Sequence, residues 1–272
     1  MNALTIDLEY WWCNEFLTKY LPEKRIAHVI ESVSPLLDLL HKYETHATFF
    51  VLGDLAKQYP ELVETIYNDG HEIACHSYSH KALHELGEEG FQEEIKKSLD
   101  IIGKYHPIGF RAPSFSINNS TRWAFTILNK FGFKYDSSVF PARTMLYGVP
   151  GAPLDVYRPS LLDVAQNDPK GKIIEVPLTV LKFGTNIPFS GGFYFRLIPF
   201  WLFRIGLNEI VKKRPAVIYI HPWELYPVSY DLKAPFLSYF ESNYGKKFAL
   251  KKMEKLLKHF KFLPIKELIY AV

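Results

Sequence analysis

The chain has 272 residues, is 48% hydrophobic and carries a formal net charge of only +3. That is enough apolar sequence for one sizeable core, and the scattered lysines give a nucleic-acid or membrane-surface partner no support. Two cysteines, Cys13 and Cys75, are too few for a disulfide framework and permit a reducing compartment.

Residues 1–7 lack the basic and apolar regions of a signal peptide, and no apolar run reaches the roughly 20 residues that span a bilayer. The expectation is a cytoplasmic chain without an integral membrane segment. Residues 3–7 predict a first strand, followed by an aromatic-rich loop over 10–20. Ile26, Val29, Ile30, Val33, Leu36, Leu37 and Leu40 recur at helical spacing, with Pro35 expected to kink or restart that helix. A second strand is expected over 47–51, a helix broken at Pro60 over 55–69, and a third strand over 71–75 that buries Cys75.

The alternation continues with a helix over 88–105, a strand at 108–111 and a helix over 120–131 capped by Ser120. A strand end at 133–136 leads into a proline- and glycine-rich loop over 141–168, of the kind that usually carries function. A strand at 172–177, a loop from 189, a helix over 199–213, an apolar strand at 216–220 and a helix over 250–260 complete the pattern. Strands alternating with helices imply an α/β fold with a parallel sheet, here as one domain over 1–272.

The residues with chemical potential fall at strand C-terminal ends: Asp7, His76, Arg111, Asp136 and His221. In α/β barrels that face holds the active site. Asp7 and Glu9 are two apart, so on an extended strand both enter one cavity while Leu8 faces the opposite layer. His76 and His80 are four apart and converge on one ion if the chain turns helical after its strand. Two imidazoles and a carboxylate are a common ligand set for a catalytic divalent ion, and a further carboxylate and a further histidine remain for acid–base work. This constellation predicts a metal-dependent hydrolase.

Five segments in order resemble the motifs of the polysaccharide deacetylases with a NodB homology domain, carbohydrate esterase family 4. They are Thr5-Ile6-Asp7-Leu8-Glu9, His76-Ser77-Tyr78-Ser79-His80, Arg111-Ala112-Pro113-Ser114-Phe115, Tyr135-Asp136-Ser137-Ser138 and Tyr219-Ile220-His221-Pro222-Trp223-Glu224. The resemblance covers most of the chain. The stretches Asp136-Ser137-Ser138-Val139-Phe140-Pro141 and Gly191-Gly192-Phe193-Tyr194-Phe195-Arg196 are similar to a bacterial and archaeal branch tied to exopolysaccharide and surface-glycan synthesis. One departure stands out: the family's first motif commonly has two adjacent aspartates, and here Leu8 separates Asp7 from Glu9.

The resemblance implies a distorted (β/α)7 barrel and removal of N-acetyl groups from a sugar of a polysaccharide, its precursor or peptidoglycan. It implies Asp7 as general base and Glu9, His76 and His80 as ligands of a divalent ion, zinc foremost, with cobalt, nickel or manganese suited to the same donors. His221 would protonate the departing amine, Arg111 would pair with Asp7, and Asp136 would orient His221 or Arg111. A backbone N–H in the turn after Arg111 would stabilise the oxyanion. Ser114, Phe115, Arg143 and Trp223 would contact the N-acetylated carbohydrate, Arg143 through an anionic group. His28, His41, His46, His71, His84, His106 and His259 have no convergent partners and read as structural. Two alternatives stay open: a metal-independent ring-amide hydrolase of the allantoinase-like kind, and a catalytically silent carbohydrate-binding relative.

Overall fold

β1 (Asn2–Leu8) is buried along its whole length, because it lies at the centre of a parallel sheet. In the computed structural model, which describes residues 2–144, 146–228 and 232–270, β1 pairs with β2 (Thr48–Val51) through Thr5 to Leu8. Its opposite edge pairs with a strand near the end of the chain. Strand periodicity sorts its side chains. Leu4, Ile6 and Leu8 join the core beneath the helices, where Val33, Leu36 and Leu40 of α1 (Val29–Lys42) meet them. Ala3 faces the barrel interior with Phe50 and Ala74, and Asp7 opens on the same side.

Helices α2 (Gly53–Gln58) and α3 (Pro60–Asn68) are broken at Pro60, as the sequence predicts. β3 (Glu72–Cys75) follows, then α4 (Leu83–Ile102), β4 (Gly109–Phe110), α5 (Ala124–Lys130), β5 (Tyr135–Asp136) and β6 (Ile174–Glu175). The sheet runs in order from β1 to β6. An antiparallel hairpin, β7 (Val180–Phe183) with β8 (Thr185–Pro188), precedes α6 (Gly192–Leu197) and α7 (Phe200–Val211). β9 (Val217–Ile220) returns to β1, pairing with Ala3 to Ile6. The seam between β6 and β9 is bridged by isolated hydrogen bonds: Thr179 N donates to Val217 O, Val217 N to Thr179 Oγ1, and Tyr219 N to Ser190 O.

α8 (Pro222–Leu225), α9 (Phe236–Asn243) and α10 (Lys246–His259) lead to β10 (Phe262–Leu263), which pairs with Asn2 and Ala3, and to α11 (Ile265–Tyr270). α11 closes the end of the barrel away from Asp7. There Lys266 N and Thr48 Oγ1 donate to Glu72 Oε2, and Tyr135 OH donates to Glu72 Oε1. The result is the curled α/β barrel that the sequence predicts.

Several boundaries differ. α1 starts at Val29 and runs through Pro35 unbroken, with Ser34 Oγ donating to Ile30 O. α4 begins five residues earlier than expected, with Gly87 at φ 65° as its one irregular turn. Ser120 caps no helix; its N–H and hydroxyl both donate to Asn118 Oδ1. The β7–β8 hairpin and α9 have no clean sequence periodicity and were not expected. Among the described residues no helix is long and apolar enough to cross a membrane.

Candidate active site

The C-terminal ends of β1, β3 and β9 open into one cavity of about 410 Å³, lined by Asp7, Glu9, His76, His80 and His221. That volume lies in the usual range of small-molecule sites. Arg111, fully buried just beyond β4, supports this floor from below. Its Nη1 donates to Asp7 Oδ1 at 2.5 Å and to Thr5 Oγ1 at 2.9 Å. Nε donates to Ser137 O and Nη2 to Ser137 Oγ, both at 2.9 Å, while the guanidinium lies 4.1 Å from the Phe50 ring centre. Every guanidinium nitrogen is thus engaged, and Asp7 has one oxygen fixed and the other facing the cavity.

The two histidines of the second motif converge by a different route from the one expected. The segment 76–82 between β3 and α4 is not helical. Ser77 and His80 instead take left-handed backbone angles, φ 64° and 61°, which turn the chain back on itself. Such angles are unfavourable for residues with a Cβ and persist where surroundings hold them. Here the holder is Glu94 of α4, whose Oε2 accepts from Ser77 Oγ, Tyr78 N and Ser79 N. His76 Nδ1 bonds Arg111 O at 2.8 Å, so that nitrogen carries the proton and Nε2 offers its lone pair to the cavity.

Glu9 sits between the imidazoles. Its Oε2 is 2.6 Å from His80 Nε2 and 3.6 Å from His76 Nε2, and its Oε1 accepts from Trp223 Nε1 at 3.4 Å. Burial opposes its ionisation, but His80, His221 and His76 outweigh that and hold it well below the usual carboxylate range. Burial likewise pushes His80 down, and the Glu9 charge more than restores it. Ligands about 2.1 Å from a tetrahedral ion lie roughly 3.4 Å apart. The 3.6 Å from Glu9 Oε2 to His76 Nε2 matches that spacing, whereas the 2.6 Å to His80 Nε2 is a direct hydrogen bond that a bound cation would have to open. The donor types fit as well. Cys13 Sγ also lies with Glu9 and His80 atoms inside a 4.8 Å cluster, which the sequence reading did not anticipate.

His221 stands on the opposite wall, with Nε2 3.9 Å from Asp7 Oδ2 and 3.6 Å from Glu9 Oε1. Its Nδ1 bonds Glu224 Oε2 at 2.9 Å, and Glu224 Oε1 accepts from Arg196 Nε at 3.0 Å. Glu224 rests directly over Gly192, where a Cβ would meet its carboxylate at 1.5 Å. Burial opposes ionisation of Glu224, but Arg196 and His221 carry it down to about 2. Burial lowers His221 too, yet Glu9, Glu224 and Asp7 together raise it to about 9. Trp223 stacks on the imidazole at 5.2 Å, 21° from parallel.

Two expected site residues lie elsewhere. Asp136 is fully buried, and strand alternation points Tyr135 into the barrel and Asp136 out of it. Its carboxylate accepts from Ser138 N and Oγ and shares a hydrogen bond with Glu175. Glu224, not Asp136, orients His221, and the Arg111 guanidinium is held by Ser137. Arg143 is exposed in the long loop and lines neither this cavity nor the adjoining one, to which the loop contributes Leu146 and Tyr147. Ser114, Phe115 and Trp223 do line the cavity, Ser114 and Phe115 in left-handed conformations at φ 56° and 46°. His71 packs against Phe49 in the outer core and accepts from Ala47 N, away from the site. Glu15, raised by burial to about 7, is a further cavity residue that the sequence did not single out.

Residues 29–135 match the polysaccharide deacetylase family model. Over that segment the chain is similar to the polysaccharide deacetylases. Residues 137–270 match a second family, described as a domain of unknown function (DUF3473). A peptidoglycan-N-acetylglucosamine deacetylase of Bacillus cereus is 35% identical over 99 residues, which is 35% of this chain and 36% of that one. The chain thus spans about a third of that relative's length. Among solved structures, a Mycobacterium smegmatis protein named for the polysaccharide deacetylases superposes with a TM-score of 0.64 at 19% identity, covering 99% of this chain and 88% of that one. An allantoinase superposes with a TM-score of 0.57 at 14% identity, covering 96% and 85%. At these identities the superpositions show the deacetylase-type barrel as a fold.

Proposed function

We propose that the chain is a metal-dependent N-deacetylase acting on an N-acetylated sugar of a surface polysaccharide, its precursor or peptidoglycan. The observation that carries this reading is the meeting of Asp7, Glu9, His76, His80 and His221 in one cavity, from three strand ends. The similarity to a peptidoglycan deacetylase supports the acetamide as substrate, and the whole chain is read as one catalytic domain. Glu9, His76 and His80 would hold the ion, zinc foremost. Bound there, it would supply Lewis acidity that makes water nucleophilic near neutral pH.

Asp7, kept in place by Arg111, takes the proton of the attacking water through its free Oδ2. The developing oxyanion needs a donor. Ala112 N is taken by Ser138 Oγ, Pro113 has none, and the N–H groups of Phe115 and Ser116 close turns on Ala112 O and Pro113 O. The N–H of Ser114, in its left-handed turn on the cavity wall, is left to serve. His221 is held as an imidazolium by Glu224 and delivers its Nε2 proton to the amine as the C–N bond breaks.

Acetate release from N-acetylated glycans and nucleotide sugars, assayed with the metal-stripped chain and again after zinc is restored, tests the reading. Release that needs the metal and disappears with His76→Ala is expected. No release from any acetamide, by a chain that holds its ion, overturns it.

A further inference from the structure

We propose that Cys13 is a thiolate ligand of the same ion that Glu9 and His80 hold. The proposal rests on the metal reading above and goes beyond it, since the expected donor set contains no sulfur. Cys13 Sγ, a Glu9 carboxylate oxygen and a His80 ring nitrogen all lie within 4.8 Å of one another. That spacing admits one ion between them.

The thiol is presented by a built turn. Cys13 ends a short helical turn, Trp11–Cys13, separated from Glu9 by Tyr10 alone, and its N–H donates to Tyr10 O at 2.9 Å. Trp11 is buried, and its Nε1 donates to Ile26 O at 2.9 Å. Trp12 stacks on Tyr10 with ring centres 4.4 Å apart. The two residues before Cys13 are therefore tied down on other faces, and the Cys13 side chain lines the cavity. No disulfide competes for it: Cys75 is free and faces the helix-side core.

A thiolate changes which ion the site prefers. Carboxylate and imidazole donors serve many divalent metals, whereas an added sulfur favours zinc or cobalt over magnesium, calcium and manganese. Binding exchanges the thiol proton for the metal; the proton leaves to solvent and no electrons move. The ion then shields the sulfur, so thiol reagents attack it readily only in the metal-free protein.

Cobalt titration of the metal-stripped full chain tests this. One equivalent should bring an intense near-ultraviolet sulfur-to-cobalt charge-transfer band, retained in Cys75→Ser. Cys13→Ser should bind cobalt without the band and hold zinc roughly tenfold or more weakly than wild type. In wild type, zinc should slow labelling of Cys13 by a thiol reagent. Stoichiometric cobalt without a charge-transfer band, or a Cys13 labelling rate unmoved by zinc, overturns the proposal and leaves the metal reading standing. Failure to bind cobalt or zinc at all overturns both.

Discussion

Asp7 and His221 face each other across the cavity with their nearest atoms 3.9 Å apart, yet they are assigned opposite proton transfers. Their variants should therefore differ in a specific way. Asp7→Asn should retain the metal and lose roughly 10²–10⁴-fold in rate on both an acetamide and an activated aryl acetate. His221→Ala should lose a similar factor on the acetamide only, because a phenoxide leaves without a proton and an amine does not. Equal losses on both substrates for His221→Ala, with metal content unchanged, would remove it as the acid. Glu94 makes a second residue-level case. It touches no substrate, but its carboxylate accepts three hydrogen bonds that hold the left-handed loop that carries His80. Glu94→Ala should weaken zinc binding on the order of 10–100-fold, measured by competition with a chelating dye, while circular dichroism stays native.

At the scale of elements, β5 and β6 bury a pair of carboxyl groups. Burial first, then the Asp136 charge, raises Glu175 well above the usual value near 4.5, and burial raises Asp136 as well. A folded-state value raised above the unfolded one stabilises fully below the unfolded value and is lost as pH rises through the folded one. Wild-type melting temperature should therefore fall as pH rises above the ordinary carboxyl value near 4.5. Glu175→Gln should flatten that slope, since its amide can donate to Asp136 while its oxygen still accepts from Val139 N. A variant melting curve with the wild-type slope would mean that another group titrates. The same strands show where sequence reading reached its limit. Alternation in β1 was legible because seven residues establish it, and Asp7 was placed correctly. In β5 two paired residues establish nothing, and Asp136 was expected inside when it points outward. His76 and His80 were found by spacing, but the loop that joins them depends on Glu94, a remote residue whose role no local pattern reveals. Glu224 was in view within its motif, yet its part in orienting His221 needed Arg196 and Gly192, which are neighbours only in the fold.

At the scale of the whole molecule, the boundary between the two matched families at residues 135–137 falls between hydrogen-bonded strands of one sheet. The two segments should therefore not behave as independent units. Residues 1–136 and 137–272 expressed separately should each lack a cooperative melt and, mixed during refolding, should recover one; a cooperative melt from either alone would show an autonomous domain. β1 lies outside both matched segments and yet carries Asp7 and Glu9, with partners on both flanks. That placement has a consequence in time. Glu9 and Trp223, which hydrogen-bond in the finished site, are 214 residues apart in the chain. At about 5–20 residues per second, a ribosome needs roughly 10–40 s to make the second after the first. Throughout that interval β1 has one pairing edge without its strand, an apolar ribbon open to wrong partners. A nascent chain of this kind depends on whatever shelters that edge until Val217–Ile220 emerges.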